Sequence, residues 1–407
     1  MKEEGPMAAS SGRLTLFFSS LGHMLMHMLA AFFFVVVLAL EVQWERPYHE
    51  LIELWALGAL LVGLCALPAG WLADRWSAPG MIAVMFVGMG AACLLCSVAD
   101  SPTGLFVGLS ALGVFASIYH PVGIPWIVRS TRGSGRALGI NGVFGGLGVA
   151  LSGAVAGLFT DLAGWRAAFA VPGIVSVLVG VALALCLRAG LLHDARPVHE
   201  DATREGRLDM LRGFLLLMFT MFTLGFVFHA SQIAFPKIFD LRLGSWLGEG
   251  ALGVGLVVSA VYTMGALMQL GGGYLADRYP LKRVYVGSLI LQAPALTGVA
   301  VATGLPLVMS ATLAVLLSTA ALPSENLLLA RYSPRRHQGL AFGLKFVLAF
   351  GAGPLAIAFV STVTEATGGF THVFTALAGL AVLAWLTALA LPSVAKRQGE
   401  PQPASAV

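Results

Sequence analysis

Twelve stretches of this chain are apolar and long enough to cross about 30 Å of hydrocarbon, which takes roughly 20 helical residues each. They cover residues 14–40, 50–73, 79–99, 103–128, 136–160, 166–188, 211–235, 251–276, 283–304, 306–330, 339–361 and 371–393. Inside lipid every backbone N–H and C=O needs a partner within the protein, so a spanning segment is a helix or part of a closed barrel. Barrel strands run only about ten residues and alternate apolar with polar, unlike these stretches. The pattern predicts an all-α membrane protein with twelve transmembrane helices. Composition agrees: charged residues are 11% of the chain, against roughly a quarter in a soluble domain, and the mean hydropathy is +0.86. The first stretch follows a short polar head containing Lys2 and Arg13, yet its apolar run is about twice as long as a signal-peptide core, so it reads as a mature helix.

Lysine and arginine set the expected orientation. With the N-terminus in the cytoplasm, nineteen of the 24 fall on that side, among them Arg129, Arg132, Arg136, Arg278, Lys282, Arg283, Arg331, Arg335 and Arg336. The opposite side receives Arg46, Arg166, Lys237 and Arg242, while Lys345 lies inside a stretch. Positive charge is retained on the cytoplasmic side, which places both termini there and the chain in the inner (cytoplasmic) membrane. The net charge of +4 then needs no nucleic-acid partner. Cys65, Cys93, Cys96 and Cys186 all fall in apolar stretches and read as small apolar filler.

The chain also repeats itself. The only long polar connection, residues 189–210, separates six stretches from six. This predicts an N-terminal bundle over 1–188, a cytoplasmic linker over 189–210, a C-terminal bundle over 211–393 and a polar tail over 394–407. Gly70-Trp-Leu-Ala-Asp74-Arg75-Trp76 recurs as Gly273-Tyr-Leu-Ala-Asp277-Arg278-Tyr279, each closing the second stretch of its half, 203 residues apart. Such self-similarity marks a duplicated unit. At an offset of 204, Gly139-Ile-Asn141 aligns with Gly343-Leu-Lys345, and His120-Pro121 then aligns with Ser324-Glu325.

Twelve helices as six plus six, with this glycine-to-arginine motif after helices two and eight, resemble the major facilitator superfamily over essentially the whole chain. The resemblance implies two bundles around a central cavity, alternating access by rocking, a binding site near the midplane, and a monomer. It makes Gly70, Asp74, Arg75, Gly273, Asp277 and Arg278 candidate gating residues, with Pro121 and Pro354 as bends. The first motif loop, Trp76-Ser-Ala-Pro-Gly80, lacks the basic residues that usually follow, whereas Tyr279-Pro-Leu-Lys-Arg283 keeps two. Ser117-Ile-Tyr-His-Pro-Val-Gly123, with Arg129 and then Gly135, Arg136 and Gly139, is locally similar to fosmidomycin-resistance-type exporters. The fifth stretch, with Gly142, Gly145, Gly146, Gly148, Gly153 and Gly157, resembles the glycine-rich helix of antiporting exporters, although the usual Gly-Pro pair appears in the eleventh instead. Direction therefore leans to export.

Polar residues inside the stretches are few, and an ionisable one costs on the order of 2.5–3.5 kcal/mol at depth. His23, His27, Tyr119, His120, Asn141, His229, Gln232, Tyr262, Gln269, Asn326 and Lys345 are the candidate substrate-binding set, and Glu325 is the candidate proton-coupling residue. Glu325 lies six residues before Arg331 and Lys345 six after Gly339, so both sit roughly 9 Å inside and can pair. That pair reads either as a lock on the hairpin or as a functional site. His23 and His27 stand at i, i+4 on one face, and His120 and His229 could complete a metal-binding set. No His-Glu-x-x-His run and no embedded aspartate accompanies them, so no metal is assigned.

There is no nucleophile elbow, no phosphate-cradling GxxxxGK[ST] and no nucleotide domain. Neither an enzyme nor an ATP-driven pump fits, and no cofactor is expected. The expected function is secondary active transport of a small organic solute, anionic or drug-like, driven by protons or another coupling ion. A divalent-metal or metal-chelate transporter using the embedded histidines is the first alternative. A sensor or scaffold with a transporter fold is the second.

Overall fold

The structure, a computed structural model, describes residues 6–130, 135–192, 208–333 and 338–392. Most of the expected linker and the polar tail lie outside the described residues. Among the described residues, eleven helices are long and apolar enough to span a membrane, and a bent pair, Tyr48–Leu64 with Ala66–Arg75, makes a twelfth when taken as one span. The first span runs Ser11–Trp44, the third Ala78–Ser97, the fourth Pro102–Ser130, the fifth Arg136–Ala163 and the sixth Trp165–Arg188. In the second half they are Met210–Leu247, Ala251–Arg278, Leu281–Val301, Gly304–Tyr332, Ala341–Thr367 and Thr371–Leu389.

Prolines explain most of the breaks. A proline cannot donate to the carbonyl four residues back. Pro68 leaves Leu64 without its partner, and the second span bends by 41° there. Pro121 does the same at Ser117, so the fourth span is interrupted between Ala116 and Tyr119. Pro294 accompanies the break between Leu289 and Gln292 in the ninth. Pro354, expected to bend the eleventh, instead lies within a continuous helix, Gln338–Thr367.

Packing follows a shift of six. The first span packs on the fifth as the seventh packs on the eleventh, the second on the fourth as the eighth on the tenth, and the third on the sixth as the ninth on the twelfth. The two bundles meet through the second with the eleventh and the fifth with the eighth, pairs that exchange under the same shift. Small residues make the closest approach. A Cβ added at Gly153 would lie 2.5 Å from the Gly255 carbonyl oxygen, and one at Gly157 would lie 2.7 Å from that of Ala251. Between helices in lipid, such close backbone contact replaces the hydrophobic drive that water would supply. Large apolar side chains such as Leu178, Leu185, Leu270 and Leu386 stay exposed, as suits a surface solvated by lipid.

The seventh helix is longer than expected. It continues past 235, through Pro236, to Leu247, so Lys237 and Arg242 belong to a helix rather than to a far-side loop. Arg242 turns its guanidinium onto the carbonyls of Val299, Ala300 and Ala302 at 3.0, 3.1 and 3.0 Å. It thereby satisfies acceptors that the end of the ninth span leaves open.

Candidate functional site

Between the bundles lies a cavity of about 430 Å³. His23, His27, His120, His229, Gln232, Tyr262, Gln269, Glu325, Asn326 and Lys345 all line it. Two of the candidate substrate residues do not: Tyr119 and Asn141 lie behind the N-terminal wall, both buried.

That second layer has a definite hydrogen-bond order. Ser19 donates to the Gly123 carbonyl at 3.1 Å, so the Tyr119 hydroxyl, 3.3 Å from Ser19 Oγ, donates its own proton there. Asn141 Nδ2 donates to the same tyrosine oxygen at 2.7 Å. Asn141 then offers His23 Nδ1 two acceptors, its backbone oxygen at 2.8 Å and its Oδ1 at 3.1 Å. Nδ1 therefore carries the proton, and in the neutral ring the lone pair sits on Nε2. Tyr119 also stacks under the His23 ring at 4.6 Å.

Three imidazoles cluster on this wall. Ring centroids lie 4.9 Å apart for His23 and His27, 5.3 Å for His23 and His120, and 5.4 Å for His27 and His120. His120 is buried, and neither of its ring nitrogens has a hydrogen-bond partner. It reaches the facing bundle, stacking on Phe346 at 4.7 Å and leaning on Phe350 at 5.0 Å. His229 is not part of this converging group and bonds the backbone of Ala349.

The C-terminal wall carries charge. Lys345 Nζ lies 2.9 Å from Glu325 Oε1, with side chains 11% and 5% exposed, and donates to Asn326 Oδ1 at 2.5 Å. Tyr285 stands behind the carboxylate. Thr220 gives its proton to the Leu217 carbonyl at 2.9 Å, so the Tyr285 hydroxyl donates to Thr220 Oγ1 at 2.9 Å, with Glu325 Oε2 farther off at 3.4 Å.

Contacts joining the bundles gather on the side away from the termini. Asp161 accepts from the amides of Ala251 and Leu252, both at 2.8 Å, and so caps the eighth span across the interface. Lys237 bridges Glu41 at 2.7 Å and Asp240 at 3.1 Å. Tyr48 donates to the Ile233 carbonyl at 2.7 Å, and Ser361 to Glu53 at 2.5 Å. On the side of the termini, a Cβ added at Gly139, Gly273 or Gly343 would meet nothing within 4 Å.

The duplicated motif ends are alike in detail. Arg75 folds over the Trp71 ring at 4.0 Å and Arg278 over Tyr274 at 4.1 Å. Asp74 and Asp277 are exposed, and Gly70 faces Pro121, whose Cβ would be 3.3 Å from an added Cβ.

A family model of the Major Facilitator Superfamily matches residues 16–253 and again 242–406. The chain belongs to this superfamily. Its fold is similar to that of a bacterial homolog of the human lysosomal transporter Spinster in two inward-facing states. The unoccupied one has a TM-score of 0.70, 15% identity, and coverage of 96% of this chain and 95% of that one. The occupied one has a TM-score of 0.72 at 15% identity, covering 96% and 97%. A mutant of the nucleoside transporter NupG gives 0.70 at 15% identity, over 93% of this chain and 99% of that one. No curated protein sequence matches the chain. The superfamily is one of transporters.

Sequence reasoning missed Glu41, Lys237, Glu53 and Tyr285. Glu41 and Lys237 fall just past the ends of their apolar runs, 14–40 and 211–235, because a charge is what ends such a run. Extending each by one helical turn would have shown both charges at matching depth on the far side.

Proposed function

We propose that this protein is a proton-coupled secondary transporter of a small organic solute bearing an anionic group. It works by alternating access, as a monomer, in the inner (cytoplasmic) membrane with both termini in the cytoplasm. The observation that carries the reading is the Glu325–Lys345 pair in the cavity wall. A carboxylate and an ammonium that neutralise one another need no third charge until one of them is engaged. An anionic substrate group competes for Lys345, and the released Glu325 takes a proton. Binding and protonation thus become linked, which is the thermodynamic content of coupling. The second span with the eleventh and the fifth with the eighth form the surfaces on which the bundles rock. Bonds gathered on the far side hold the cavity accessible from the terminus side. Gly70, Asp74, Arg75 and their counterparts Gly273, Asp277 and Arg278 lie at the end that must close. Solute and proton then move together, so an inward proton gradient drives uptake, against the lean to export drawn from the glycine-rich fifth span.

The test is solute flux in proteoliposomes with an imposed pH difference. The wild type accumulates an anionic solute against its gradient, and Glu325→Gln permits only downhill exchange. A Glu325→Gln variant that still concentrates solute under the pH difference removes Glu325 from coupling.

A further inference from the structure

We infer that His23, His27 and His120 bind a single divalent transition-metal ion of the zinc class, with one coordination position left open to the cavity. Their ligating atoms all lie within 4.8 Å of one another. Zinc–imidazole bonds of about 2.0–2.1 Å place the nitrogens of a tetrahedral site about 3.3 Å apart, so the rings need to close by roughly 1.5 Å at most. Rings facing an open cavity can tilt that far.

Three independent features favour a ligand here over mere packing. The double hydrogen bond from His23 Nδ1 to Asn141 leaves Nε2 as the donor atom, the outer-shell arrangement that orients metal-binding imidazoles. His120 is buried with both ring nitrogens unpartnered, a cost that coordination would recover. The ligands come from two helices, the first and fourth spans, and His120 lies just past the interruption between Ala116 and Tyr119, with its ring 5.3 and 5.4 Å from the other two. Imidazole donors select zinc-like ions over magnesium and calcium, which want oxygen.

The chemistry also names the metal's companion. Neutral imidazoles bring no charge, and the cation facing them, Lys345, sits beside Phe346, on which His120 stacks. Paired with Glu325 at 2.9 Å, Lys345 adds no net charge until an anion displaces that carboxylate, and it then holds the anion opposite the metal. The open position therefore takes an anionic oxygen donor, and the cargo is a metal complex of a small carboxylate- or phosphonate-type chelator. That identity of the cargo rests on the transport reading above. The metal site does not.

The experiment uses the full chain, purified through a tag without histidine, stripped with chelator and placed in nanodiscs. Cobalt(II) is the probe, since tetrahedral coordination gives it intense visible absorption, with zinc as competitor. One cobalt per chain is expected, displaced by zinc, with affinity weakened at least about tenfold in each of His23→Ala, His27→Ala and His120→Ala. Asn141→Ala weakens it less, and the exposed His372→Ala leaves it unchanged. Thermal stability is measured alongside, and His120→Gln replaces any alanine variant that does not fold. Absence of tetrahedral cobalt, or binding indifferent to His120, overturns the site. Cobalt binding in a protein that moves no anion in proteoliposomes leaves the site standing and removes the transport reading.

Discussion

Deleting one partner of the Glu325–Lys345 pair tests how much of the C-terminal wall depends on it. At 2.9 Å and an effective dielectric of about 20, the pair's attraction is about 6 kcal/mol before desolvation is subtracted. Both side chains are nearly buried, 11% and 5% exposed, so solvent screens little of it. Removing one charge leaves the other buried with only polar neighbours: Asn326 for the ammonium, and Tyr285 at 3.4 Å for the carboxylate. Lys345→Met and Glu325→Gln are each expected to cost about 3–5 kcal/mol, whereas the double variant leaves no orphaned charge and costs much less than their sum. Equilibrium unfolding in mixed detergent micelles measures all three, and a coupling energy of at least about 2 kcal/mol is expected. Additivity to within about 0.5 kcal/mol would mean that the two groups do not interact, and the linkage argued for proton coupling would lose its basis.

Two further perturbations probe the other wall and the far side. A Cβ at Gly145 would fall 2.5 Å from His23 Cε1, so Gly145→Ala displaces that ring, costs about 1–3 kcal/mol in thermal unfolding as overpacking does, and lowers solute uptake. Gly142→Ala, which meets open space inside a helix, is expected to gain about 0.5–1 kcal/mol from helix propensity; equal effects of the two would refute the packing argument. Lys237→Met removes the bridge to Glu41 and Asp240 and is expected to populate a state opened on the far side. It is read as a longer distance between spin labels at the exposed Val42 and Leu241 in a chain cleared of its four cysteines. An unchanged distance distribution would show that the bridge holds nothing closed.

The helices were legible in the sequence because lipid imposes one period and one length on them, and the interruption at Pro121 because it removes an N–H; the same argument failed at Pro354, which stays within a continuous helix, and the break at Pro68 was not read. The pairing of Glu325 with Lys345 was legible for a related reason: two charges at the same depth on adjacent helices have few other partners. Tyr119 was harder. Its neighbour His120 faces the cavity, and a step of about 100° along a helix turns Tyr119 away from it. Only the contacts show that Tyr119 serves through Asn141 and His23 rather than at the cavity surface. The histidine cluster was legible in part: i, i+4 spacing put His23 and His27 on one face and His120 and His229 were both candidates to join them, but only tertiary geometry takes His120 and leaves His229 out.

That third histidine joins the two halves of the mechanism. His120 is positioned by the fourth span, yet its ring packs on Phe346 and Phe350 of the eleventh, the span that also carries Lys345. The same helix approaches the second span, where a Cβ added at Gly63 would lie 3.6 Å from Phe350 Cβ. In the proposed alternating access, rocking of the bundles slides the eleventh span along the second and so parts His120 from its phenylalanines. A ligand that draws His120 toward His23 and His27 weakens that stacking from one side, and an anion held by Lys345 loads the eleventh span from the other. Occupancy of both walls therefore bears on one cross-bundle contact, so a cargo reaching both walls shifts the equilibrium further than one engaging either alone.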